Sequence, residues 1–227
     1  MTGTPPEPEP ADAHINASDA RSYWQSISAD VNGMLGGYAH ISHTDLEGSR
    51  AFLAKLGIGT KTGLRTVRRA LEGGAGIGRI TQGLLLGLAE EIDVVEPIAK
   101  FTAALAGQPG VASVSNIGLE EWHPEPGVVY DIIWNQWCLG HLTDEQLVAY
   151  LRRCKGALRP GGEAVIVIKE NMSTSRGDIF DEVDSSVTRI DKKFRDLFEE
   201  AGLELVRTEL QSGFPRHIFP VRMYALR

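Results

Sequence analysis

Residues 164–169, Ala-Val-Ile-Val-Ile-Lys, place apolar side chains at five consecutive positions before the lysine. Successive residues of a strand point to opposite faces, so a run of this kind is buried on both faces. That restricts the chain to folds in which helices cover a central sheet from two sides. The remaining pattern obeys the restriction. Strand-like runs at 67–72, 92–96, 114–118 and 130–136 alternate with helical patterns at 79–88, 98–106, 143–158 and 191–201. Two further strands, 205–209 and 221–226, close the chain. Such alternation predicts an α/β domain with a largely parallel sheet. Upstream, Asp19 is expected to cap a helix reaching about residue 28. The glycines of GMLGGYAHIS (33–42) stop it, and Thr44 or Asp45 opens a second helix to about residue 56. The 227 residues are 42% hydrophobic, enough for one core. The expected organisation is a disordered Pro- and acid-rich tail (1–17) and one domain (18–227). Within it, 18–60 form a helical cover and 61–227 the sheet.

Charge and cysteine content exclude several function classes. The formal net charge is −7 and no continuous basic stretch occurs, which argues against a nucleic-acid partner. Cys138 and Cys154 lack C-x-x-C spacing, so neither a zinc site nor a disulfide framework is expected, and no metal is predicted. No apolar run approaches the ~20 residues of a membrane span, and no signal peptide is evident. The expectation is a soluble protein of the cytoplasm, with the nucleus also open to it.

In sheets of this class, ligands lie beyond the carboxyl ends of the strands. LEGGAGIGRIT (71–81) joins the first strand to its helix, and Gly74, Gly76 and Gly78 permit a tight turn with close approach to bare backbone. A dinucleotide fingerprint counted from Gly74 needs glycine at position 79, where this chain has Arg79. A nucleoside without pyrophosphate fits better. Arg79 suits a carboxylate, and Glu96, at the end of the second strand, suits ribose hydroxyls. A nucleoside carrying an amino acid is S-adenosylmethionine. DIIWNQWCLGHLTDEQL (131–147) then sets Asn135, Gln136, Trp137 and His141 at another strand's carboxyl end. Trp137 alone reads better as a core aromatic, and His141 can be read as a helix-cap residue; the cluster favours a site facing the crevice. Asp178, Asp181, Glu182 and Asp184 lie within seven positions. A solvated acidic loop is one reading. Ser185, Ser186, Val183 and Val187 favour the other, a partly buried segment that holds a cation.

These residues carry a resemblance. YW at 23, GMLGGYAHIS at 33, GAGIGRIT at 74, IIWNQWCLGHLTD at 132, LRRCKGALRPGG at 151, IKENM at 168, DEVDSSVTR at 181 and FPVRMYALR at 219 resemble the protein N-terminal α-amine methyltransferases that act on X-Pro-Lys termini, most of all their fungal members. The resemblance implies a seven-stranded, Rossmann-like class I methyltransferase sheet with an N-terminal helical cover and a substrate hairpin inserted at about 172–190. It implies S-adenosyl-L-methionine as cofactor, S-adenosyl-L-homocysteine as product, and N-terminal peptides, ribosomal proteins among them, as partners. For the cofactor it implies Gly74, Arg79 and Gln136 at the methionine part, Glu96, Pro97 and Ile98 at ribose and adenine, and Leu119 and Glu120 flanking adenine. For the peptide it implies Trp137 against the proline, Asn171 on the backbone, Asp181 and Asp184 on the lysine, and Ser186 in support. Trp24, Leu35, Ile218 and Phe219 complete the substrate wall, with Trp24 equally readable as a helix-packing residue. His141 and Asp184 would draw the proton from the α-amine.

The sequence departs from the family pattern at Glu72, where Asp is usual, at Glu120, often Gln, and at Phe219, where a tyrosine is expected. Arg68 and Arg69 are unusual in a first strand. An α-amine has a pKa of about 7.7–8.0 against about 10.4 for lysine, so a mild base suffices. A small-molecule amine or hydroxyl methyltransferase explains the glycine loop but leaves Asp181 and Asp184 without a task. A binding protein without catalysis leaves His141 without one.

Overall fold

The computed structural model describes residues 9–227. Nine strands are present among them: β1 (Val67–Gly73), β2 (Ala89–Val95), β3 (Val111–Ser115), β4 (Ile132–Gln136), β5 (Val165–Asn171), β6 (Ile179–Asp181), β7 (Ser186–Thr188), β8 (Leu205–Leu210) and β9 (Val221–Leu226). Seven form one sheet in the order β3-β2-β1-β4-β5-β9-β8. β1 to β5 are parallel, and β9 runs antiparallel to both β5 and β8. This is the class I methyltransferase sheet. The order reverses between β1 and β4, which opens a crevice at their carboxyl ends.

The doubly buried strand pattern is realised as expected. β4 is buried at every position and β5 at all but its last. Below one face, helices α6 (Asp144–Gly156) and α7 (Asp191–Glu200) pack Leu147, Leu151, Phe194 and Phe198 on Ile133, Ile166 and Tyr224. On the other face, α3 (Ser42–Ala54) and α4 (Arg79–Gly83) bring Phe52, Leu53 and Ile80 onto Ile132, Trp134 and Val167.

Several elements differ from expectation. α4 stops at Gly83 and passes into a 3-10 turn, Leu85–Gly87, rather than running to residue 88. Glycine is a poor helix former, and Gly83 packs beneath Leu46, where an added Cβ would lie 2.7 Å from Leu46 Cδ1. α5 is the single turn Ala99–Thr102. β3 lies three residues earlier than its apolar pattern suggested, because pairing of Val94 with Val114 sets its register. The first helix, α1 (Ala17–Ser26), is capped by Asn16, not Asp19: Asn16 Oδ1 accepts from the backbone N–H of Ser18 (2.9 Å) and Asp19 (3.4 Å). A short helix, α2 (Val31–Met34), follows within the glycine-rich stretch. Arg69 is explained by its neighbour strand: its guanidinium pairs with Asp93 (2.7 Å) and Glu91 (2.9 Å) on β2.

The disordered tail expected at 1–17 requires correction in its described part; residues 1–8 lie outside the described residues. Ala11–His14 form a 3-10 turn. Asp12 Oδ2 accepts from the Asp144 backbone N–H (2.8 Å), and the Asn16 N–H donates to Ser185 Oγ (2.8 Å). These contacts tie the strap to the start of α6 and to the β6–β7 hairpin. Val183, expected to be partly buried in that hairpin, is 71% exposed at its tip, whereas Val187 is buried.

Arg189, just after the hairpin, is fully buried. It pairs with Asp144 (2.8 Å) and donates to the carbonyls of Leu139 (3.0 Å) and Leu142 (2.6 Å). It thereby locks the 3-10 turn Leu139–His141. Arg189→Met leaves the Leu142 carbonyl unpartnered, the Leu139 carbonyl with the Leu142 N–H alone and Asp144 with Lys193 alone. A loss of about 1–3 kcal/mol in unfolding free energy is expected, read from the urea midpoint.

Candidate active site

The crevice at the carboxyl ends of β1, β2 and β4 is a cavity lined by all eight residues expected around the cofactor: Gly74, Arg79, Glu96, Pro97, Ile98, Leu119, Glu120 and Gln136. Its floor is the β1–α4 loop. Gly74 adopts φ 67°, and a Cβ there would lie 2.2 Å from the Cβ of Cys138. Only glycine lets the loop approach the β4 end so closely. Glu96 is buried and oriented by two backbone donors, Gly76 N–H on Oε2 (2.8 Å) and Ile98 N–H on Oε1 (2.9 Å). Burial raises its pKa against these two bonds. A carboxylate has about four acceptor positions, so two remain for a diol.

The departures have local partners. Glu72 accepts from the Thr81 hydroxyl beneath the loop, and burial pushes its pKa up to about 7. Glu120 is held by Arg21 of α1 (3.0 Å), which also reaches Glu121 (2.7 Å). The helical cover is therefore clamped to the adenine end of the cavity.

Arg79 decides what the other end accepts. Its side chain is 9% exposed and lies 2.7 Å from Asp45 Oδ2, yet Nη1 has no aligned hydrogen-bond acceptor. The guanidinium also faces the Trp137 ring at 5.5 Å. A buried cation on the lining at one end and an oriented carboxylate at the other fit an amino-acid nucleoside, so the residues present suit S-adenosylmethionine. Gln136 Nε2 is turned onto both carboxylate oxygens of Asp45 (3.0 Å each).

A second depression adjoins the first. Asn171, Asp181, Asp184, Ser186, Ile218 and Phe219 line it, and Phe219 is 38% exposed at its mouth. Trp24, Met34, Leu35, Trp137 and His141 belong to both cavities and form their common wall. Trp137 adopts φ 53°, unusual for a bulky residue. Its surroundings impose it. Trp137 N–H donates to the Lys169 carbonyl (3.1 Å), and the next two N–H groups, of Cys138 and Leu139, both donate to Glu170 Oε1 (2.9 Å each). Burial raises the Glu170 pKa to about 7. The strained turn aims the indole into the wall.

His141 ends that turn. It does not cap α6, whose cap is Thr143 in a reciprocal box with Gln146. His141 Nε2 accepts from Trp24 Nε1–H (3.0 Å), so a neutral ring carries its proton on Nδ1, which has no partner. Burial lowers the His141 pKa, with Asp184 opposing the shift. The ring is therefore neutral near pH 7. Asp184 also has a buried, unpartnered oxygen, Oδ1. Asp181 is exposed and accepts the Val183 N–H (2.8 Å). The depression thus offers the carboxylates of Asp181 and Asp184 as acceptors, with Arg216 elsewhere on its lining.

Several residues near the cavities, Met34 of the common wall among them, escaped the sequence reading. Arg21 and Tyr23 sit on α1; the charges of Asp184 and Asp181 and, above all, burial raise the Tyr23 pKa. Asp45, taken as a helix-start residue, is wholly buried, as is Lys169. A lysine closing a doubly apolar strand was a visible signal that a buried anion awaits it. Among the described residues, no three His, Cys, Asp or Glu side chains gather as metal ligands, and no helix is long and apolar enough to cross a membrane.

Comparison with known proteins gives consistent matches. The family model described as AdoMet dependent proline di-methyltransferase matches residues 12–227. "Alpha N-terminal protein methyltransferase 1" of Schizosaccharomyces pombe is 46% identical over 215 residues, covering 92% of this chain and 94% of the relative. The human "N-terminal Xaa-Pro-Lys N-methyltransferase 1" is 46% identical over 217 residues, covering 92% and 94%. A solved SAM-dependent methyltransferase from Leishmania major superposes with TM-score 0.82 at 36% identity, covering 92% of this chain and 82% of that one.

Proposed function

We propose a substrate for a chain that belongs to the AdoMet-dependent proline di-methyltransferase family: the α-amino group of a protein beginning X-Pro-Lys, the terminus that names its relatives. The observation that carries this reading is the common wall. The cavity suited to S-adenosylmethionine and the depression edged by Asp181 and Asp184 meet at Trp24, Met34, Leu35, Trp137 and His141.

When bound, the cofactor supplies an electrophilic methyl on a sulfonium. The chain's residues do the rest. Glu96 receives the ribose hydroxyls and Arg79 the carboxylate. On the other side of the wall, the indole of Trp137 offers a flat apolar face to the proline ring. Asp181 and Asp184 take the lysine ammonium, which serves as an anchor and not as the methyl acceptor. Asn171 meets the peptide backbone. The amine must reach the wall with a free lone pair, and its proton passes to Asp184 or His141. With a mild base sufficient, most of the acceleration comes from in-line placement.

Cytoplasmic and nuclear proteins, ribosomal ones included, are the natural pool of such termini and complete the proposal.

Mass spectrometry tests it. A hexapeptide beginning Pro-Pro-Lys or Ser-Pro-Lys is expected to gain methyl groups when incubated with the protein and S-adenosylmethionine. Its acetylated form is expected to gain none. Methylation of the acetylated peptide, or of the lysine side chain, overturns the reading.

A further inference from the structure

Resting on the cofactor reading above, we propose that Lys169 is a positioning residue for the cofactor's carboxylate: it neutralises Asp45, so that the charge of Arg79 faces the cavity uncompensated. Neither Lys169 nor Asp45 lines the cofactor cavity. Both side chains are 0% exposed, and their atoms Nζ and Oδ1 lie 2.6 Å apart. Further acceptors surround the ammonium. It donates to the Asp45 carbonyl (3.0 Å), to Ser49 Oγ (3.0 Å) and to Gln211 Oε1 (2.8 Å). Asp45 Oδ2 in turn lies 2.7 Å from Arg79 Nη1, and Gln136 donates to both oxygens.

The charges set the function. Two buried cations share one buried anion, so the group carries a net positive charge, and Arg79, which lines the cavity, presents it there. A ligand carboxylate restores neutrality. Remove Lys169, and Asp45 claims Arg79 while repelling an incoming carboxylate from behind it. Charges this close interact strongly at low effective dielectric. The same chain of contacts joins α3 of the helical cover to the cofactor's amino-acid end, which couples cover and cofactor.

Two ligands separate this role from a merely structural one. S-Adenosylhomocysteine carries the carboxylate; 5′-methylthioadenosine has the same nucleoside without the amino-acid part. By calorimetry, Lys169→Met is expected to weaken S-adenosylhomocysteine about tenfold or more and to leave methylthioadenosine within about twofold. Asp45→Asn combined with Lys169→Met removes both charges, and homocysteine-ligand affinity is expected to recover to within about threefold. Equal weakening of both ligands, no weakening of either, or no recovery in the double variant overturns the proposal. Wild-type protein that binds neither ligand overturns the cofactor reading itself, and the proposal with it.

A pH series gives an independent readout. Burial, with help from Arg79 and against Asp45, lowers the Lys169 pKa to about 8. The charged groups facing it are Asp45 from α3 and Arg79 from α4; Ser49, Gln136 and Gln211 are neutral. Preference for the carboxylate ligand over methylthioadenosine is expected to fall as pH rises through about 8, where the ammonium is lost. Glu72, beside Arg79, and the ligand's own amine titrate in every variant and set the background. The Lys169 component is expected to vanish in the double variant, which keeps the test available should Lys169→Met alone fail to fold. An identical pH slope in wild type and double variant overturns the proposal.

Discussion

Asp184→Asn is expected to lower kcat/KM on an X-Pro-Lys peptide by about 10³-fold or more, with the affinity for S-adenosylhomocysteine unchanged. The size follows from the two tasks proposed for this one carboxylate. Loss of a positioned base costs about 10²–10⁴-fold, and loss of half the lysine anchor adds to it. The geometry ranks Asp184 above its neighbours. Its Oδ1 is buried without a partner, whereas His141 Nε2 already accepts from Trp24. To take a proton at that nitrogen, His141 must first release the indole. His141→Ala is therefore expected to lose about 10- to 100-fold, mostly in kcat. Asp181 is exposed and spends one oxygen on the hairpin turn, so Asp181→Asn is expected to act chiefly on KM. Steady-state kinetics of the three variants check the ranking. Equal kinetics for Asp184→Asn and wild type would remove the assignment.

Trp137→Ala is expected to abolish discrimination between X-Pro-Lys and X-Ala-Lys peptides. In the proposed complex the preference comes from stacking an imino ring on a fixed indole. Burying a ring of that size stabilises binding by about 1.5–3 kcal/mol, roughly 10- to 100-fold in kcat/KM. The indole cannot drift away from its place. Its φ of 53° is imposed by the Lys169 carbonyl and by Glu170, which grips the two following N–H groups. The variant keeps the backbone turn and loses the wall, together with the ring that Arg79 faces. Kinetics on the peptide pair give the ratio directly. A retained proline preference would assign that selectivity to Leu35 or Phe219 instead.

Much of this was legible before any coordinates. Apolar strands, the glycine loop and the helix start at Thr143 are local, because each arises from side-chain periodicity or from φ and hydrogen-bonding demands within a few residues. The positions at strand ends were legible for the same reason: once β1, β2 and β4 are known, Gly74, Glu96 and Gln136 must lie at one rim. The hairpin acids followed from DEVDSSVTR and its resemblance to a family. Helix ends were less legible. α4 ends at Gly83 where Leu46 packs over it, and Asn16 outcompetes Asp19 as a cap through backbone geometry that sequence spacing does not reveal.

By itself, then, the sequence determined the sheet, the covering helices and the chemical groups lining the crevice. Tertiary structure alone decided which of those groups meet. Lys169 finds Asp45 across 124 positions and Trp24 finds His141 across 117. Asp12 and Asn16 bind a supposedly free strap to α6 and the hairpin. No local propensity encodes such pairs. They form because a buried charge or donor is costly without a partner, and which partner is within reach depends on how the whole chain closes around the sheet.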